Sequence, residues 1–120
     1  MLFGGVNMGG NVWVKSGRVM NLFPEPGVTS TVTGDGLYKD SPASTFQATV
    51  TGTGAVTATV LLDVSNDNVN WVATVMGTIT LTGTTSASDG FTTNAPWKFV
   101  RARVTAISGT GATVQVYMGV

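Results

Sequence analysis

Apolar and polar residues alternate with a period of two through much of the chain, most clearly over residues 97–118. Val100, Ala102 and Val104 fall on one face, and Phe99, Arg101, Arg103 and Thr105 fall on the other, the pattern of a strand with one side in a core. Val114, Val116 and Met118 then alternate with Thr113, Gln115 and Tyr117. Between the two runs, Ser108-Gly109-Thr110-Gly111 tolerates positive φ, so the spacing predicts a β-hairpin that reverses there. Residues 46–64 carry a weaker copy. Ala-Thr-Val-Thr followed by Gly-Thr-Gly-Ala there matches Ala-Arg-Val-Thr, an inserted Ala-Ile-Ser, and Gly-Thr-Gly-Ala in the later segment. Two similar hairpins predict two walls of one sandwich.

The remaining segments read as short strands and turns. Residues 12–14 and 18–23 flank Lys15-Ser16-Gly17 as a small hairpin, which Pro24-Glu25-Pro26-Gly27 ends. Residues 28–33 alternate as an edge strand, and residues 37–44, with Lys39, Asp40 and Pro42, read as a polar loop. Residues 45–51 and 55–64 make the first long hairpin. Ser65 to Trp71 reads as an Asn- and Asp-rich turn, residues 71–76 and 78–82 as strands around Gly77, and residues 83–89 as a loop of small residues. No apolar run keeps a period of 3.6, and glycine or proline interrupts nearly every window of a dozen residues. The expected fold is all-β: a single-domain β-sandwich, jelly-roll-like, with an Ig-like Greek-key sandwich as the alternative.

Residues 1–10 contain four glycines and no regular period, so residues 1–13 are expected to form a flexible N-terminal arm and residues 14–120 the sandwich. The arm is not built like a solubilising tail. Leu2, Phe3, Val6, Met8, Val12 and Trp13 are apolar, which marks them as candidate contacts to a neighbouring subunit. The same segment has no basic start and no continuous apolar run, so neither a signal peptide nor a membrane span is expected. The chain is expected to be made and to fold first in the cytoplasm.

Composition narrows the partners. The chain has 120 residues, of which 42% are hydrophobic and only 10% charged, with a net charge of zero. One domain of this length buries roughly two-thirds of its unfolded surface, an adequate core. Phosphate binding needs a basic field that this chain lacks, so nucleic acid is not an expected partner. A charge-poor surface at zero net charge favours association, and the chain is read as a subunit covered by its neighbours.

The sequence holds no histidine and no cysteine. This removes Cys- and His-based nucleophiles, His general bases, soft metal sites and disulfides. Of the six acids, only Asp63 lies away from an expected turn, and the spacing offers no carboxylate pair for glycoside hydrolysis. Neither an enzyme nor a cofactor is expected. Asp67 with Asn66, Asn68 and Asn70 has oxygen donors for Ca²⁺ but few carboxylates, and an Asx-stabilised turn accounts for it better. Ser65, Asp67 and Trp71 resemble the Asp-box turn of sialidases without its Gly and with the Trp one residue early, a hairpin feature that carries no activity. Trp13, Trp71 and Trp97, if exposed in a row, would stack on sugar rings, which keeps a carbohydrate-binding module as an alternative. Arg101 and Arg103 lie about 7 Å apart on the polar face of one strand and suit an acidic partner.

The turn from Val64-Ser65-Asn66-Asp67 to Trp71, the segment Gly77-Thr78-Ile79-Thr80-Leu81, and the run from Ala95-Pro96-Trp97-Lys98-Phe99-Val100 through Val104 together resemble small structural proteins of tailed-bacteriophage virions. The resemblance covers residues 45–120. It implies a non-enzymatic capsid decoration or cement protein on the virion surface, assembled in the host cytoplasm. Such a protein binds the major capsid protein as a homo-oligomer, typically a trimer. The alternative is a carbohydrate- or receptor-binding module of a head or tail fibre.

Overall fold

A computed structural model describes residues 18–120. The order is β1 (Val19–Asn21), β2 (Val32–Thr33), β3 (Leu37–Tyr38), β4 (Ser44–Ser65), β5 (Gly77–Thr93) and β6 (Phe99–Gly119), with no helix among the described residues. All six strands form one antiparallel sheet. Its order is β1-β6-β4-β5, with β2 and β3 also on the edge of β6 away from β4. The chain is all-β, as its periodicity predicts. Residues 1–17, which include the expected arm and the first half of the expected N-terminal hairpin, lie outside the described residues.

Neither of the expected long hairpins forms. Residues 44–65 and 99–119 are each one continuous strand of 22 and 21 residues, and they pair with each other along their lengths. The glycine segments that looked like reversals meet at one level of the sheet and act as bulges. Gly54, Gly109 and Gly111 have φ of 86°, 119° and 67°, and the ladder slips between Thr51 and Thr57 of β4. On β5, Thr85 has φ 71° and takes up the slip between Thr51 and Ala55, so residues 83–89 are strand rather than loop. Positive-φ residues that oppose one another produce a bend with local twist instead of a turn.

Register explains how one sheet buries one face. On β4, Phe46, Ala48, Val50, Val56, Ala58, Val60, Leu62 and Val64 keep one parity and are all buried. On β6, Thr105 has no partner between Val104 and Ala106, which flips the phase so that Ile107 stands opposite Ala58. A second extra residue between Thr110 and Thr113 flips it back, and Ala112, Val114, Val116 and Met118 point into the same core as Val100, Ala102 and Val104. The edge of β6 away from β4 measures the bend. Val28 pairs with Val114 and Val32 with Val104. Four chain steps of at most about 15 Å thus accompany ten residues of β6, which would span about 33 Å if straight. The sheet therefore folds over its own apolar face at the bulge line.

The segment between β1 and β2 covers part of that face. Phe23 is buried, its N–H donates to Gln115 Oε1 (3.3 Å), and its carbonyl accepts from Gln115 Nε2 (3.0 Å). A side-chain amide here replaces a neighbouring strand. Gly34 lets the Phe23 ring pass, since a Cβ there would lie 2.9 Å from that ring.

Two glycine substitutions separate crowding from backbone strain at the bulge line. A Cβ on Gly109 would meet Ala55 O at 2.6 Å and the Val56 side chain at 2.9 Å, whereas a Cβ on Gly54 would meet nothing within 4 Å. Gly54→Ala should cost about 1 kcal/mol from its positive φ alone, and Gly109→Ala about 3 kcal/mol or more. Urea unfolding curves measure both, and equal costs would show that crowding at Gly109 is relieved by movement of β4.

Candidate functional site

Asp63 is the acid that the sequence reading left unplaced, and it organises one end of the outer sheet face. It sits in the otherwise apolar run Val60-Leu61-Leu62-Asp63-Val64, with parity opposite to the core residues. In the β4–β6 register it stands opposite Arg101, next to the pair Leu61 and Arg103. Arg101 Nε donates to Asp63 Oδ2 (3.0 Å), while Arg103 donates from Nε to Oδ2 and from a terminal nitrogen to Oδ1, both at 2.9 Å. The acidic partner that suits Arg101 and Arg103 is thus within the chain. Asp63 is only 2% exposed. Burial pushes its carboxyl up, but hydrogen bonds from Arg103 and then Arg101 outweigh that and hold it below the usual carboxylate range.

The turn that follows covers this cluster. Ser65 Oγ accepts from the backbone N–H groups of Asp67 (3.1 Å) and Asn68 (3.0 Å). Its own hydrogen has Asn70 O at 2.7 Å and Asp67 Oδ1 at 2.8 Å within reach. The Asp67 carboxylate accepts from the Asn70 side chain, then from the backbone of Val69 and Asn70 and from Ser65, which together hold it far below the usual range. This is the Asx-stabilised turn that Asn66 to Asn70 predicts, with Asn68 at φ 59°. Trp71, at its end, is half-buried with the Arg101 guanidinium 4.3 Å from its ring centroid. That face of Trp71 is occupied. Trp97 is partly buried against the core and Trp13 lies outside the described residues, so Trp71 and Trp97 do not form an open stacking row.

Lys39, which the sequence placed in a polar loop, is 2% exposed. Its ammonium donates to the carbonyls of Ser41 (2.8 Å), Pro42 (2.7 Å) and Ala95 (2.6 Å), three acceptors for three donors. Burial lowers its pKa, with a smaller contribution from Lys98. The clamp joins the chain entering β4 to the chain leaving β5. Beside it lies a groove of about 660 Å³ bounded by Arg18, Ser44, Thr45, Thr92, Thr93 and Asn94. Arg18 pairs with Asp40, and Ser44 Oγ is buried with no hydrogen-bond partner among the described residues. Ser44 and Asn94 were missed because nothing in their local sequence distinguishes them from loop residues.

Leu2, Phe3, Val6, Met8, Val12 and Trp13, the other candidate interface residues, lie outside the described residues. No group of three or more potential metal-ligating acids occurs among the described residues. Comparison with protein-family models, with curated proteins and with solved structures finds no match for this chain.

Asp63 makes stability depend on pH. A carboxyl whose folded pKa lies below its unfolded value, about 3.9, binds fewer protons when folded, so its contribution is full above that pH and lost as pH falls through the folded pKa. Asp63→Ala should lower the unfolding free energy at pH 7 by about 3 kcal/mol, since it strands two arginines. It should also flatten the rise in stability between pH 2 and about 5. Denaturant titrations across that range measure both effects, and an unchanged acid limb would show that other groups carry it.

Proposed function

We propose that this chain is a non-enzymatic structural subunit of a bacteriophage virion, a capsid decoration or cement protein that docks on the major capsid lattice as an oligomer and stabilises it. The fold in this reading is a sandwich made by one sheet folded over itself. The observation that carries the proposal is the outer sheet face. Thr57, Thr78, Thr80, Thr82 and Ser108 stand exposed on neighbouring strands, and Thr57 and Ser108 share a hydrogen bond of 2.5 Å.

Such a face suits docking for two physical reasons. Threonine has few χ1 states to lose in a strand, so covering it costs little side-chain entropy. A hydroxyl also loses far less on desolvation than a charge does. Where charges occur on this face, Asp63 holds Arg101 and Arg103 within the chain and offsets one of their two charges. Residues 99–104, within one of the three segments that carry the phage resemblance, pair with β4 on one side and with β2 and β3 on the other.

The groove beside Lys39 favours a second reading, a glycan-binding module of a fibre. Hydroxyls, an amide and an arginine stand beside Val19, Ala43 and Val120 in a largely apolar groove within the size range of small-ligand sites. In that reading the binding residues are Ser44, Thr92, Thr93, Asn94 and Arg18, rather than the tryptophans.

Co-sedimentation with expanded capsid shells and a glycan array separate the two. The structural role predicts saturable shell binding and shells more resistant to heat. Saturable glycan binding without shell binding, abolished by Asn94→Trp in the groove, would replace the first reading with the second.

A further inference from the structure

Edge β5 pairs with nothing but β4 among the described residues, and before its bulge at Thr85 it lacks the usual protections of an exposed edge. Its seventeen residues contain no proline and no lysine, and Asp89 is their only charge. Its first seven residues, Gly77-Thr78-Ile79-Thr80-Leu81-Thr82-Gly83, read nearly the same in both directions about Thr80.

Backbone directions show which groups are available. Val72 N–H donates to Val64 O and Met76 N–H to Leu62 O, so the even-numbered residues at this end of β4 direct their polar groups toward β5. Leu62, Val60 and Ala58 stand opposite Gly77, Ile79 and Leu81, which are therefore the residues that bond to β4. By alternation, Thr78, Thr80 and Thr82 direct their N–H and C=O groups away from the sheet. Gly34 N–H donating to Ala102 O on the opposite edge of β6 obeys the same parity.

We propose that two copies of this chain associate through β5, antiparallel, about a two-fold axis at Thr80. The occupant is a second copy because this register is self-complementary. Thr80 faces Thr80 of the second copy, and Thr78 faces its Thr82, so every outward N–H in the segment meets an outward C=O. On one face Ile79 comes beside Leu81 of the second copy; both are already buried in the protomer, so the backbone hydrogen bonds carry the pairing. On the other the threonines form a continuous cross-strand row. No charge opposes this approach over residues 77–88. The bulge at Thr85 ends the ladder, so the paired segment is short and the association is reversible and concentration-dependent. The pairing does not rest on the capsid reading, which shell binding tests separately.

Light scattering of the full chain over increasing concentration should show the mass rising from 12.3 kDa to twice that value. In the dimer, amide exchange at Thr78, Thr80 and Thr82 should slow relative to the dilute protein. Thr80→Pro removes an N–H that the β4 ladder does not use, and by deleting two hydrogen bonds it should weaken the dimer by about thirtyfold. Thr80→Lys keeps the N–H but sets like charges opposite each other, and it should weaken the dimer too, which maintains the test if the proline variant fails to fold. A mass that stays at one protomer would overturn the proposal. So would an assembly that survives Thr80→Lys, or protection of these three amides already present in the monomer.

Discussion

Strands of 17 to 22 residues cannot remain flat and also close a core, because a flat sheet leaves its apolar face in water. The chain meets this constraint by placing irregular residues of β4, β5 and β6 at one level. Gly52-Thr53-Gly54, Thr85 and Gly109-Thr110-Gly111 let three neighbouring strands bend together while their ladders continue on both sides. The rest of the architecture depends on this bend. It brings Val50 and Val114 into one cluster with Val60 and Val104, and it allows residues 28–32 to cross between distant parts of β6.

Two clusters of different chemistry hold the connections between strands of the bent sheet. In one, a carboxylate in an apolar strand gathers two arginines, and the following turn lays Trp71 over one of them. In the other, a buried ammonium is satisfied by three carbonyls and no carboxylate. The exposed outer face of β4 and β5 is mainly hydroxyl.

Much of this was legible in the sequence. Period-two alternation correctly placed Val100, Ala102, Val104, Val114, Val116 and Met118 in the core, and Ser65, Asp67 and Asn70 announced their turn. The bulges were misread as reversals because Gly-Thr-Gly permits either outcome. What decides is whether the glycines of a neighbouring strand lie opposite, a fact of pairing that no local window contains. The link from Asp63 to Arg101 and Arg103 spans 38 and 40 residues and depends on β4–β6 register. The available signals were a lone charge inside an apolar strand and an Arg-x-Arg spacing on one face of another. Lys39 gave none, since the carbonyls that hold it belong to residues of any type.

The position of β1 has a mechanical consequence. Arg18 and Val120 exchange backbone hydrogen bonds of 3.0 and 2.9 Å at the margin of the sheet formed by the described residues. A pull that separates these two residues loads the β1–β6 ladder one rung at a time, as in opening a zipper, and bears on few bonds at once. The long β4–β6 ladder lies behind that margin and stays out of the line of force until β1 has peeled away. Tension applied between these points would therefore detach a three-residue strand at low force while leaving the bent sheet and its core whole.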